Sequence, residues 1–294
     1  MTAPRIDLVA AGPFTLAESP SWDERTGRLL WCDIPARTIH ALEVGSGRRD
    51  QWVFDSEVGS FGLTDRGRLV VALRSEIVIF DPADGHRRRL VEIEADNPKT
   101  RSNDGKVGPD GAFWVGTMDE HPEKRPDAAL YRVTGGGVIE RKVTGLKVAN
   151  GLAWSPDGDW LYHSDSRGPW IDRWRFDPRS GAISDRQRFV TPDDTIGRPD
   201  GGATDSEGCY WSCGVSAGRL NRFSPDGELL EFVEMPVPNP TMPCFGGPDL
   251  RTLFVTTHRE NYSAEQRMRH PHAGAVFAFR VDVPGAPIGR FVEG

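Results

Sequence analysis

Asp110-Gly111-Ala112-Phe113-Trp114-Val115-Gly116 and, 47 residues on, Asp157-Gly158-Asp159-Trp160-Leu161-Tyr162 are two copies of one pattern. A tight Asp/Gly turn leads into an apolar run of strand composition. The pattern returns at Asp23 to Gly27, Asp65 to Gly67, Asp205 to Gly208 and Gly247 to Asp249, with successive aspartates 42, 45, 47, 48 and 44 residues apart. Each first run, such as Leu69-Val70-Val71-Ala72-Leu73, is followed by a second, such as Ile77-Val78-Ile79-Phe80. A further turn and a charged alternating segment, such as Arg87-Arg88-Arg89-Leu90-Val91-Glu92-Ile93, complete the unit. Four strands in about 45 residues, repeated six times, predict an all-β, six-bladed β-propeller of four-stranded antiparallel blades.

On this reading residues 1–294 form a single domain. The N-terminal run Arg5-Ile6-Asp7-Leu8-Val9 closes the ring by pairing into a terminal blade, and Ser263 to Arg269 offers at most two helical turns. Composition agrees: only 37% of residues are hydrophobic, turns are rich in Gly (33) and Pro (23), and nine Trp and fourteen Phe supply the packing between blades.

The net charge of −7, with no basic run longer than Arg87-Arg88-Arg89, argues against nucleic-acid binding. Met1 to Ala11 carries Arg5 and Asp7 and does not read as a signal peptide, and no run approaches the ~20 apolar residues of a membrane helix. A cytoplasmic protein without membrane contact, monomeric or weakly oligomeric, is expected. Cys32, Cys209, Cys213 and Cys244 read as free thiols.

Four polar residues recur near one place in the repeat: Glu18, Asn103, Asn150 and Asp200 stand five or seven residues ahead of the turns of the first, third, fourth and fifth units. The remaining positions of the ring are read as Ser60 and Cys244. Inner strands of a propeller line a central channel, so these side chains converge on one axis. Two carboxylates and two amides without a fixed cation among them form a hard-cation site, for which Ca²⁺, Mg²⁺, Mn²⁺, Fe²⁺ and Zn²⁺ are all candidates. Such an ion would suit a hydrolase. No Gly-x-Ser-x-Gly nucleophile motif is present. His163 reads as a packed side chain, and His258, His270 and His272 as surface or rim.

The segments Ala17-Glu18-Ser19-Pro20-Ser21-Trp22, Arg101-Ser102-Asn103-Asp104-Gly105-Lys106, Gly116-Thr117-Met118, Asn150-Gly151-Leu152, Pro199-Asp200-Gly201 and Pro243-Cys244-Phe245-Gly246-Gly247 occur in the order found in one family. In these the chain resembles the senescence-marker-protein-30/gluconolactonase/regucalcin family. The resemblance implies hydrolysis of a small-molecule sugar lactone by one divalent metal ion held by Glu18, Asn150 and Asp200. It implies that Arg101 and Asn103 contact the substrate or a metal-bound water. Asp200, with Glu18 as the other choice, is the expected catalytic base. Relatives with Gly-Thr-Met-x-Glu-Glu carry a substrate-contacting Glu where this chain has His121, so Glu120 and His121 are the expected substrate-binding residues of the Asp119 to Ala128 loop. Ala17-Glu18-Ser19 stands where the family has Gly-Glu-Gly. The alternatives are a metal-dependent hydrolase of other lactones or of phosphotriesters, and a non-enzymatic calcium-binding propeller.

Overall fold

The structure is a computed structural model that describes residues 4–294. It contains six four-stranded antiparallel sheets, five of which take their strands in sequence order. The innermost strands of blades 1 to 6 are Ala17–Asp23, Val58–Leu63, Thr100–Val107, Ala149–Trp154, Pro199–Thr204 and Pro240–Gly246. The six-bladed propeller predicted from the turn spacing is therefore the fold.

The sixth sheet closes the ring. Its fourth strand is Asp7–Ala10, which pairs with Val276–Arg280 and joins the N-terminus to the last blade. The pairing joins the first and last blades, so that the ring is held shut by a strand ladder. Among the described residues there is one short helix, Ala264–Arg269, capped by Ser263, whose side chain accepts from the Gln266 N–H while the Gln266 side chain caps back.

Blades adhere through aromatic side chains. Trp114 of blade 3 meets Trp154 and Phe176 of blade 4 edge-on, with ring centroids 6.0 and 5.6 Å away. Trp114 is fully buried, and truncating such a residue costs about 3–5 kcal/mol. The outer strands carry the charge: Arg87 lies over Phe54 at 4.5 Å and pairs with Asp55. All four cysteines are buried free thiols. His163 is fully buried near Trp170 and Trp174, with no hydrogen-bond partner on either ring nitrogen.

One backbone device repeats in every inner strand. The register with the second strand slips once per blade, between Glu18/Ser21, Val58/Ser60, Ser102/Gly105, Asn150/Ala153, Pro199/Gly202 and Pro240/Pro243. A bulge of this kind breaks the alternation of faces and re-aims the side chains at it. Glu18, Asn103, Asn150 and Asp200 all lie at or inside these slips. In blades 2 and 6 the slips hold Gly59 and Thr241 instead. Ser60 lies at the far edge of its slip and Cys244 beyond its own, so the polar ring expected there is not completed by these two residues.

Candidate active site at the mouth of the channel

The side chains aimed by the slips line one cavity of about 290 Å³ at the N-terminal ends of the inner strands, with Glu18, Arg101, Asn103, Asn150 and Asp200 on its wall. Five residues placed together by the sequence reading are together in space.

Glu18 is 9% exposed, and its Oε2 accepts from the Ser19 N–H at 2.9 Å. Ser19 has a φ of +52°, the left-handed region that favours glycine, which gives the physical reason for a Gly at this point in the Gly-Glu-Gly pattern. Its hydroxyl compensates by accepting from the Phe61 N–H at 3.2 Å. Gly151, after Asn150, has a φ of +71°, and a Cβ there would stand 2.6 Å from Ser164 Oγ and Tyr210 Oη.

A hydrogen-bond chain fixes the Asn150 amide. Ser166 Oγ donates its one proton to the Pro199 carbonyl at 2.6 Å, so it must accept from Asn150, whose Nδ2 lies 2.8 Å away. The Asn150 Oδ1 is thereby presented as an acceptor, taking one bond from Asn103 Nδ2 at 3.1 Å and keeping a second lone pair. Asn103 is itself held on three sides: it donates to the Ala149 carbonyl at 3.0 Å and to Asn150, and it accepts from Arg101 Nη1 at 3.1 Å. Its geometry makes it a positioning residue for Asn150 and Arg101.

Glu18 and Asp200 have no ion pair among the described residues. Burial raises the pKa of both well above the carboxylate range. Asp200 and Asp104 add to the rise at Glu18, and Asp104 to that at Asp200. Asp104 is 6% exposed, and burial also raises its pKa; one oxygen accepts from Leu152 N–H at 3.1 Å and the other has no partner. Arg101 and Arg198 offset the rise at Glu18 and Asp200 only in part and pair with neither, so carboxylates that are desolvated together and repel one another call for an external cation. The donor set of Glu18, Asp200 and the Asn150 oxygen fits a hard divalent ion.

A second candidate cluster is Asp119, His121 and Asp127, whose ligand atoms lie within 4.8 Å of one another. Asp119 is already committed there, to His121 Nδ1 at 2.7 Å, the His121 N–H at 3.2 Å and the Arg125 N–H at 2.7 Å. This folds the loop back on itself and explains why His121 is not on the cavity wall. Glu120 is not on the wall either: it pairs with Arg74 and lies 3.8 Å from Arg101 Nε. The loop presents Lys124 to the cavity instead.

Sequence reading also missed Ser166, Arg167 and Arg198, which share the wall with His258, a residue read above as surface or rim. Each lies outside the inner strands, on a segment whose aim depends on the blade beside it. Burial, with help from Arg198, lowers the His258 pKa to about 4, so this ring is neutral near pH 7.

At the other end of the channel is a cavity of about 320 Å³, lined by Pro20, Ala153, Thr204, Cys244, Phe245 and Ile288 among others. Its half-buried ammonium, Lys106, donates to the Gly202 carbonyl at 2.6 Å.

Residues 16–259 match the family model described as the SMP-30/Gluconolactonase/LRE-like region. The chain is 41% identical over 283 residues to the 6-deoxy-6-sulfogluconolactonase of Pseudomonas putida, covering 95% of this chain and 96% of that one. The crystal structure of regucalcin, a calcium-binding protein from Agrobacterium tumefaciens, superposes with a TM-score of 0.93 at 27% identity, over 98% of this chain and 97% of that chain. A gluconolactonase from Xanthomonas campestris superposes with a TM-score of 0.76 at 25% identity, over 96% and 90%. By the extent of the family match and the identity along nearly its whole length, the chain belongs to the SMP-30/gluconolactonase/LRE-like family.

Proposed function

We propose that this protein hydrolyses a sugar lactone to the aldonic acid, using one divalent cation held by Glu18, Asn150 and Asp200. The observation that carries the reading is the pair of carboxylates, buried Glu18 and half-buried Asp200, lining one cavity with an amide oxygen and without an ion-pair partner. Relatives named for the hydrolysis of gluconolactones support the substrate class, and a calcium-binding relative supports the cation.

A bound divalent ion supplies Lewis acidity at the lactone carbonyl and lowers the pKa of a water towards neutrality. The chain's own residues divide the remaining work. Glu18 is buried and tied to the Ser19 N–H, which suits a fixed ligand. Asp200 is half-buried and faces the cavity, so one of its oxygens can take the proton of the attacking water. The water oxygen bonds to the carbonyl carbon, the ester bond to the ring oxygen breaks, and Asp200 returns the proton to that oxygen as a hydroxyl. The new carboxylic acid ionises and releases one proton per turnover. Arg101, held by the Ser102 carbonyl at 2.8 Å and by Asn103, presents its remaining N–H groups to the sugar hydroxyls and the new carboxylate.

Proton release from a panel of aldonolactones tests the reading, using protein stripped with EDTA and resupplied separately with Mn²⁺, Zn²⁺, Ca²⁺ or Fe²⁺. Turnover should require a cation and fall about 10²–10⁴-fold in Asp200→Ala. Cation binding without turnover of any lactone would refute it.

A further inference from the structure

We propose that Lys124, Arg167 and Arg198 form an anion subsite on the side of the cavity made by blades 3 to 5, selecting lactones that carry an acidic oxyanion group remote from the ester. The inference rests on the lactonase reading and adds a charged substrate class and three residues to it.

The three cations come from consecutive blades. Lys124 is in the loop after Phe113–Asp119, Arg167 follows Trp160–Asp165, and Arg198 immediately precedes Pro199–Thr204. All three line the cavity. Two half-buried arginines elsewhere are neutralised: Arg132 pairs with Asp110 and Glu140, and Arg222 with Asp205, Glu207 and Glu231. Among the described residues, none of the three wall cations has an ion pair. Arg198 Nε is a buried donor without an acceptor. Lys124 spends one N–H on the Asp119 carbonyl at 2.6 Å and keeps two. Burial lowers its pKa, and Arg101 and Arg167 push in the same direction, which shows how near these charges are to one another.

Like charges facing one cavity in a chain of net charge −7 need a reason. A neutral sugar offers hydroxyl acceptors but no charge, whereas a sulfonate, phosphate or carboxylate offers two or three charged acceptor oxygens. Arg101 is left out of the subsite because its guanidinium is engaged by Ser102 and Asn103. The cavity is thus divided: Glu18 and Asp200 face the reacting ester, and the three cations face the far end of the same molecule. With the acidic pair occupied by a metal ion, Glu260 is, among the described residues, the remaining carboxylate on the wall, and it forms no ion pair with any of the three cations.

The test compares kcat/KM for a neutral hexonolactone with the corresponding lactones bearing a 6-phosphate, a 6-sulfonate or a 6-carboxylate. The wild type should prefer the charged lactones, and the preference should shrink as ionic strength rises. Arg198→Gln should lower the charged-to-neutral ratio by about 10- to 100-fold, mainly through KM. Arg167→Gln serves as the second variant should the strand carrying Asp200 be disturbed by the first. The three acid arms identify which oxyanion is preferred. Equal kcat/KM for neutral and charged lactones in the wild type, or an equal loss on both in the two variants, would overturn the subsite. If no lactone is turned over, the lactonase reading fails by itself. The subsite is then judged by calorimetric binding of 6-phosphogluconate against gluconate: preference for the phosphate, lost in Arg198→Gln, supports it, and equal binding refutes it.

Discussion

The two ends of the central channel enclose cavities of similar size, about 290 Å³ at the mouth and about 320 Å³ at the opposite end, yet only one of them is built for chemistry. At the mouth, buried Glu18 and half-buried Asp200 have no ion pair, and Asn150 is locked to present an oxygen. At the far end the wall is mostly apolar, Lys106 is bonded to a backbone carbonyl, and burial raises the Cys244 thiol to about 11, so it is no nucleophile near pH 7. Volume does not distinguish the two ends. The distinction lies in the donor set: at the mouth two carboxylates without ion pairs share one wall with a locked amide oxygen, whereas among the described residues Asp157 is the one carboxylate lining the far end.

The comparison breaks most visibly under substitution at each end. Glu18→Gln should reduce kcat by about 10²-fold or more, because it removes half of the charge that holds the cation. Cys244→Ala should leave kcat within about threefold, measured on the same lactone at saturating cation. A far-end variant that abolished turnover would show that the ends are not separable.

A finer effect lies one layer behind the mouth. Ser166→Ala removes the acceptor that fixes the Asn150 amide, and loss of such a supporting partner weakens metal affinity about 10- to 100-fold. Titration of the stripped variant reads this directly, and unchanged affinity would mean that Asn150 is oriented by Asn103 alone.

The smallest effect concerns a blade interior, away from both ends. His163 is buried without partners, and burial lowers its pKa to about 3 from the ordinary 6.5. Between these values the unfolded chain binds the proton and the folded one does not. Stability therefore falls by about 1.4 kcal/mol per pH unit as the pH drops below 6.5, and the loss is complete below about 3. His163→Phe should flatten the pH dependence of Tm between pH 6 and 4 by this contribution. An unchanged slope would place the acid sensitivity in other groups.

Much of this was legible in the sequence, for reasons that can be named. The blades were visible because a propeller repeats its turns, and Asp-Gly marks a turn by its own conformational preference. Glu18, Asn103, Asn150 and Asp200 were visible because they recur at a fixed distance from those turns. The bulges that aim them were not, since a register slip is a relation between two strands and leaves no fixed residue signature. This is why Ser60 and Cys244 were placed in the ring although the slips of blades 2 and 6 hold Gly59 and Thr241. Ser166, Arg167 and Arg198 escaped because their meeting point is set by the angle between neighbouring blades. Glu120 and His121 are expected at the site because relatives carry Gly-Thr-Met-x-Glu-Glu there, but Asp119 gathers three donors of its own loop, and Lys124 reaches the wall instead.

The most direct test of the account is calorimetric titration of Ca²⁺, Mn²⁺ and Zn²⁺ into stripped protein, comparing the wild type with Asp200→Asn and with His121→Ala. The account predicts one site per chain that is lost in Asp200→Asn and kept in His121→Ala. Binding kept in Asp200→Asn and lost in His121→Ala would put the ion at Asp119, His121 and Asp127, and would contradict a cation site at the channel mouth.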